Sequence, residues 1–275
     1  MKHDMKNEEF LQQYPLKVSS AIIAPLGQFH VFSRENTLPL PNLNGMYVLS
    51  EAMGIPKSSV RVNLSRLCKS GSIKMITDNN GVNRYQMAGM MSLISDQAET
   101  FGKKEGFTIA VFRFQKDSEK ERYRVREILY SFGFQMLAQN VYMSIRIDTA
   151  GILRELKNWG LYHNVFLFDC DEIYGEIMEQ ITDMWKLKIW RKKLDDFYNT
   201  LLQYWNFSNA DEEEIYIRYS IGYSAFFVHF QEKHPAIPFA YLPEDYPLLK
   251  LYNLMEQTLK NYEKILINYY AKIYK

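Results

Sequence analysis

Hydrophobic and polar positions fall into three regimes along the chain. From Lys2 to Tyr14 the residues are largely polar, which predicts a frayed segment. From Ser19 to Phe32, Ala21, Ile22, Ile23, Leu26 and Phe29 recur at helical spacing. Pro25 interrupts that run and predicts a kink there or a helix start close by, because an interior proline removes a backbone hydrogen bond and crowds the turn before it. Leu38-Pro39-Leu40-Pro41 reads as extended, and Leu43 to Met53 reads as a helix with Met46, Leu49, Ala52 and Met53 inward, stopped by Gly54. Val60, Leu64 and Leu67 then stand at i, i+4 and i+7, one narrow apolar stripe on a helix from Lys57 to Lys69. Pro56 suits its start and Ser70-Gly71 its stop. Beyond it, Ile73 to Thr77 and Val82 to Gln86 flank Asp78-Asn79-Asn80-Gly81, and the Asn-Gly end suits the positive φ of a hairpin turn.

After the polar stretch from Ala88 to Glu105 the pattern changes to strand runs. Phe107 to Phe114 is nearly continuous in β-formers, followed by an amphipathic helix from Ser118 to Phe132 with Tyr123, Val125, Ile128, Leu129 and Phe132 on its apolar face. Strands at Phe134 to Leu137 and Val141 to Ile147, a helix from Thr149 to Asn158 and a strand from Asn164 to Asp169 complete a βαββαβ order, the split-βαβ or ferredoxin-like arrangement. From Glu172 onward helices are expected at Ile173 to Trp205, Asp211 to Glu232 and Pro247 to Tyr274. Ser208, Asp211 and Glu212 mark a helix start, and Pro235, Pro238, Pro243 and Pro247 prescribe an extended connection from His234 to Pro247. The expected fold class is α+β in three domains: a winged helix-turn-helix at 1–90, a ferredoxin-like domain at 106–171 and an all-α domain at 172–275.

The 275 residues suffice for two or three domains, and a 47% hydrophobic content is ample for their cores. No apolar run approaches the roughly 18 residues of a membrane span, and no signal-like core follows the polar start, so a cytoplasmic protein is expected. Cys68 and Cys170 lie far apart and read as small hydrophobes rather than a disulfide.

Charge singles out one segment. Gly54 to Met87 carries six basic residues and one acid, +5, on a chain whose net charge is only +1. An excess confined to one helix and one hairpin is the footprint of a phosphate-contacting module. Ser58, Val62, Ser65 and Arg66 lie off the Val60, Leu64, Leu67 stripe and are the candidates for base contacts. Arg61 and Lys69, with Asn80, Asn83 and Arg84 of the wing, are the candidates for phosphate contacts, and Lys57 at the helix start is a further candidate for contact with DNA.

Chemistry of other kinds finds little footing. Gly102-Lys103-Lys104-Glu105 superficially resembles a phosphate loop but lacks the upstream glycine spacing and the Ser or Thr after lysine. His229 and His234 are five apart with no Glu in the zincin position. Trp185, Trp190, Tyr198, Tyr204, Trp205, Tyr219, Tyr223, Phe226 and Phe227 are read first as core, and second as the lining of a ligand pocket.

Three local sequences carry a family resemblance: Val60-Arg61-Val62-Asn63-Leu64-Ser65-Arg66-Leu67; Leu129-Tyr130-Ser131-Phe132-Gly133-Phe134 through Asn140-Val141-Tyr142-Met143-Ser144; and Leu242-Pro243-Glu244-Asp245-Tyr246-Pro247. In this order they resemble the PaaX-like transcriptional repressors of phenylacetate-degradation operons, over nearly the whole chain. Ser72, Tyr142 and Tyr246 stand where that family usually has tryptophan, and Leu248 where it has glycine. The resemblance implies a non-enzymatic homodimeric repressor that binds a partly palindromic double-stranded DNA operator and leaves it when an aryl- or acyl-CoA effector binds. It also likens the middle domain to the CRISPR spacer-acquisition nuclease fold, so a metal-dependent nuclease is one alternative. Phe114-Gln115-Lys116-Asp117 puts no aspartate in the first strand itself, and Asp117 reads as a helix cap. A winged helix that binds protein is the other alternative.

Overall fold

A computed structural model describes residues 5–34, 36–88, 106–115, 118–145, 149–172, 177–231 and 242–275. The 89–105 connection with Gly102-Lys103-Lys104-Glu105, the Lys116-Asp117 pair, and His234, Pro235 and Pro238 lie outside these residues. The fold is α+β, with mixed helices and two small antiparallel sheets. It divides into two compact units, 1–99 with 194–233 and 247–275, and 100–193 with 234–246.

The first unit begins with α1 (Asn7–Gln13), α2 (Ser20–Phe32), α3 (Leu43–Ala52) and α4 (Lys57–Lys69), followed by a hairpin of β1 (Ile73–Thr77) and β2 (Asn83–Met87). The segment expected to fray is therefore a short helix. Phe10 is fully buried, its ring stacked on Tyr204 with centroids 4.0 Å apart. α2 runs through Pro25 rather than starting at it. α3 and α4 both end in the same motif, with the amide of the residue after the glycine reaching back five positions: Ile55 to the Ser50 carbonyl at 2.7 Å and Ser72 to Leu67 at 3.0 Å. That motif needs a left-handed residue, supplied by Gly54 (φ 67°) and Gly71 (φ 74°).

The same unit contains the later part of α8 (Leu187–Tyr204), then α9 (Glu212–Phe226), a π-turn (Phe227–Gln231) and α10 (Pro247–Ile273). The residues expected as an all-α domain, 172–275, are thus divided between the two units. The reason lies in α9, whose buried residues Ile215, Tyr216, Tyr219, Ile221, Ala225 and Phe226 leave it no solvent face of useful width. A helix buried all round must be enclosed by others. α2 and α3 do part of this, and Gln28 joins α2 to α9 by donating to Ser220 Oγ at 2.6 Å while accepting from the Tyr216 hydroxyl at 2.7 Å. Among the aromatic residues read as core or pocket, Trp205 stacks on Tyr219 at 5.5 Å and donates its indole N–H to the Arg218 carbonyl at 3.0 Å, and Tyr219 stacks in turn on Tyr223 at 6.2 Å.

The second unit carries a four-stranded antiparallel sheet in the order β4 (Gln135–Ala138), β5 (Val141–Ile145), β3 (Phe107–Phe112), β6 (Val165–Cys170). Helices α5 (Glu119–Ser131) and α6 (Thr149–Asn158) pack on one face around Ala110, Phe112, Val125, Leu129, Tyr142 and Ile152. α7 (Ile177–Met184) follows. Tyr123, expected on the apolar face of α5, is 61% exposed, and Phe166 and Phe168 on the edge strand β6 are 56% and 52% exposed. Cys68 and Cys170 are free and half-buried.

Candidate nucleic-acid interface

α4 acquires two chemically distinct sides from its sequence. Val60 is fully buried and Leu64 nearly so, with Leu67 half-buried beside them, so the apolar stripe fixes which way the helix faces. The remaining positions are forced outward: Lys57, Ser58, Arg61, Val62, Ser65, Arg66 and Lys69 are all exposed. α3 holds α4 from behind, and its own start is capped by Asn42, whose Oδ1 accepts from the Gly45 amide at 2.9 Å. Sequence reading missed that cap, although Asn before a helical pattern is its usual signal. Lys57 is partly committed already, 3.2 Å from Glu51 and 5.8 Å above the Tyr47 ring. Both partners of that pair are exposed, so it is a weak tie that a phosphate can replace.

The hairpin is closed by one side chain. Asp78 Oδ1 accepts from the amides of Asn80 and Val82, each at 2.9 Å, and Gly81 (φ 77°) completes the five-residue loop from 78 to 82. Asn80 and Asn83 are exposed, with Asn83 Oδ1 accepting from Thr77 Oγ1 at 3.0 Å across the strands.

Arg84 departs from the expected phosphate contact. It is only 8% exposed, because β2 is flanked on its second side by the 41–42 segment: Tyr85 donates its amide to the Pro41 carbonyl at 2.8 Å and Asn42 bridges to Arg84. Its Nε donates to Asp78 Oδ2 at 2.8 Å, Nη1 to the main-chain oxygens of Leu40 and Tyr274, and Nη2 to that of Lys275. A guanidinium already donating to four acceptors within the chain has no fork to offer a phosphate. The hydrogen bond from Arg84, helped by the Val82 amide, holds the Asp78 carboxyl below its ordinary value.

Lys57, Ser58, Arg61, Val62, Ser65, Arg66 and Lys69 of α4, with Asn80 and Asn83 of the hairpin, are therefore the predicted site residues that the structure leaves facing solvent. Elsewhere, His229 donates from Nε2 to the Pro15 carbonyl at 2.9 Å. Among the described residues no cluster of three or more His, Cys, Asp or Glu side chains is placed to hold a metal ion, and no helix is long and apolar enough to cross a membrane.

No family model and no curated protein matches the chain. Among solved structures it is similar to the uncharacterized protein Rv0674 from Mycobacterium tuberculosis, with a TM-score of 0.53 and 14% sequence identity over 91% of this chain and 97% of that one, a likeness of fold.

Proposed function

We propose that the chain is a DNA-binding transcriptional regulator in which α3 and α4 form a helix-turn-helix, the β1–β2 hairpin is its wing, and the second unit is a ferredoxin-like scaffold. The observation that carries the reading is Val62, 61% exposed in the middle of an otherwise polar, basic row. An apolar β-branched side chain held in water on a positively charged helix gains only when that face meets something apolar, and a thymine methyl in the major groove is such a partner. Ser58, Ser65 and Arg66 flank it as base-reading groups, while Arg61, Lys69, Asn80 and Asn83 hold phosphates; Arg84 leaves the set. In this reading the protein is a homodimeric repressor, two copies reading the halves of a partly palindromic operator.

Selection of duplexes from a randomised pool, followed by affinity measurements across a salt series, tests the proposal. Arg66→Ala is expected to cost ~1–3 kcal/mol and relax the preference at one base pair per half-site. Arg61→Ala and Lys69→Ala are expected to weaken all duplexes alike and to lower the salt slope by ~0.9 for each phosphate left without its cation. If the pool yields no retained duplex and these substitutions change no affinity, the reading fails.

Phe166 and Phe168, exposed side by side on an edge strand, supply an apolar surface outside Lys57 to Tyr85 of the kind that a two-fold contact buries. Sedimentation at micromolar concentration is expected to report a dimer. A monomer with and without DNA would remove that part. The effector rests on the PaaX-like resemblance, and release of bound duplex on titration with phenylacetyl-CoA or another acyl-CoA is its expected sign. Failure of every acyl-CoA tried would leave the DNA-binding reading standing without it.

A further inference from the structure

We propose that Arg84 is a positioning residue that locks the wing to the last turn of α10, so that the seating of α10 sets the wing's pose and, through the DNA-binding reading above on which this half rests, the affinity for DNA. Asp78 shapes the hairpin tip through the Asn80 and Val82 amides and simultaneously accepts from Arg84 Nε at 2.8 Å. The far side of the same guanidinium donates to the main-chain oxygens of Tyr274 and Lys275. Those oxygens follow the last residue of a 27-residue helix, where carbonyls lack intrahelical partners and the helix dipole is negative, so a buried cation is the cap this end calls for.

Two further ties bring α10 to the same place. Asn42, which caps α3 with its oxygen, donates its amide nitrogen to the Tyr274 carbonyl at 3.4 Å, and the Tyr270 hydroxyl donates to the Pro39 carbonyl at 3.3 Å. Gly45 permits the approach: a Cβ there would lie 2.2 Å from Tyr274 Cε1 and 2.9 Å from the Ile273 carbonyl oxygen. Moving the end of α10 therefore strips the buried guanidinium of acceptors, and moving the wing strips the helix end of its cap; neither shifts without a cost at the other. The coupling is reciprocal, so whatever displaces α10 acts on the wing and whatever fixes the wing steadies α10.

Amide hydrogen exchange on the 275-residue chain tests this without DNA. In the wild type under sub-denaturing urea, the amides of β2 and of 270–274 are expected to open together with one free energy; wing amides opening first, while 270–274 keep full protection, would overturn the lock. Gly45→Ala displaces Tyr274 although alanine is the better helix former, and Arg84→Lys keeps the charge but loses the fork. In both, exchange at 78–86 is expected to rise about tenfold or more, the scale of removing one charge-assisted hydrogen bond, while α9 stays protected. Folded variants whose wings exchange at the wild-type rate would also overturn it. Duplex affinity measured on the same variants is expected to fall. A wild type that binds no duplex would refute the DNA-binding reading and leave the exchange result to decide the lock.

Discussion

Phe10→Ala is expected to destabilise the first unit by about 3–5 kcal/mol, the usual range for emptying a fully buried phenylalanine site. The ring is 0% exposed, stacks on Tyr204 at 12° between planes, and lies 5.4 Å from Tyr14 and 6.3 Å from Phe197. α1 is only seven residues long, too short to persist alone, so its helicity depends on this docking. A second tie fixes its register: the Tyr204 hydroxyl donates to Asn7 Oδ1 at 2.7 Å, and burial pushes that hydroxyl's pKa far above its ordinary value, so it stays a donor at any physiological pH. Phe10→Leu keeps most of the volume and is expected to cost about 1 kcal/mol. Urea unfolding followed by tryptophan fluorescence and by circular dichroism measures both. If Phe10→Ala leaves the midpoint where it was, α1 is not docked and its helix has another cause.

That helix shows what sequence periodicity could and could not reveal. α4 was legible because Val60, Leu64 and Leu67 repeat on one face, and the hairpin because two β-rich runs flank an Asn-Gly end. The stops at Gly54 and Gly71 were legible too, each with positive φ, whereas the same device at Gly133 and Gly160 was passed over. The strands of the second unit were placed within a few residues, since Phe107–Phe112 and Val141–Ile145 are runs that only a sheet interior accommodates. α1 was hidden because a seven-residue helix has no period to read, and its single informative residue, Phe10, gains meaning only from Tyr204 nearly two hundred positions later. The division into units was hidden for a related reason. The run from 172 onward looks like one helical domain when composition is the guide, but α9 has buried residues on every side, Arg218 among them with its guanidinium 2.6 Å from Glu214, and such a helix must borrow its surroundings from α2 and α3.

Within the candidate interface the outward row on α4 followed from spacing alone. Arg84 did not, because strand alternation puts it on the opposite side from Asn83 and Tyr85, yet Arg84 and Tyr85 are both buried while Asn83 is exposed. The 41–42 segment, pairing with β2 from its free side, is what covers both, and nothing in the local sequence announces that partner.

A paired measurement on Arg84 and Arg66 separates the inward arginine from the outward one. Arg84→Ala is expected to lower the unfolding free energy by about 3 kcal/mol, since the main-chain oxygens of Leu40 and Tyr274 lose charged donors in a place water does not easily reach. Asp78, which solvent reaches, adds nothing to that figure. The same substitution is expected to leave the salt dependence of duplex binding unchanged, because no counterion is released at a guanidinium that touches no phosphate. Arg66→Ala is expected to behave in the opposite way. Its side chain is exposed, so stability should move by no more than about 0.5 kcal/mol, while duplex affinity falls. Urea unfolding and binding isotherms at several salt concentrations, run below the unfolding midpoint of the weaker variant, give all four values. An Arg84→Ala chain as stable as the wild type, with a salt slope lower by ~0.9, would return this residue to the phosphate contacts and take away the lock on α10.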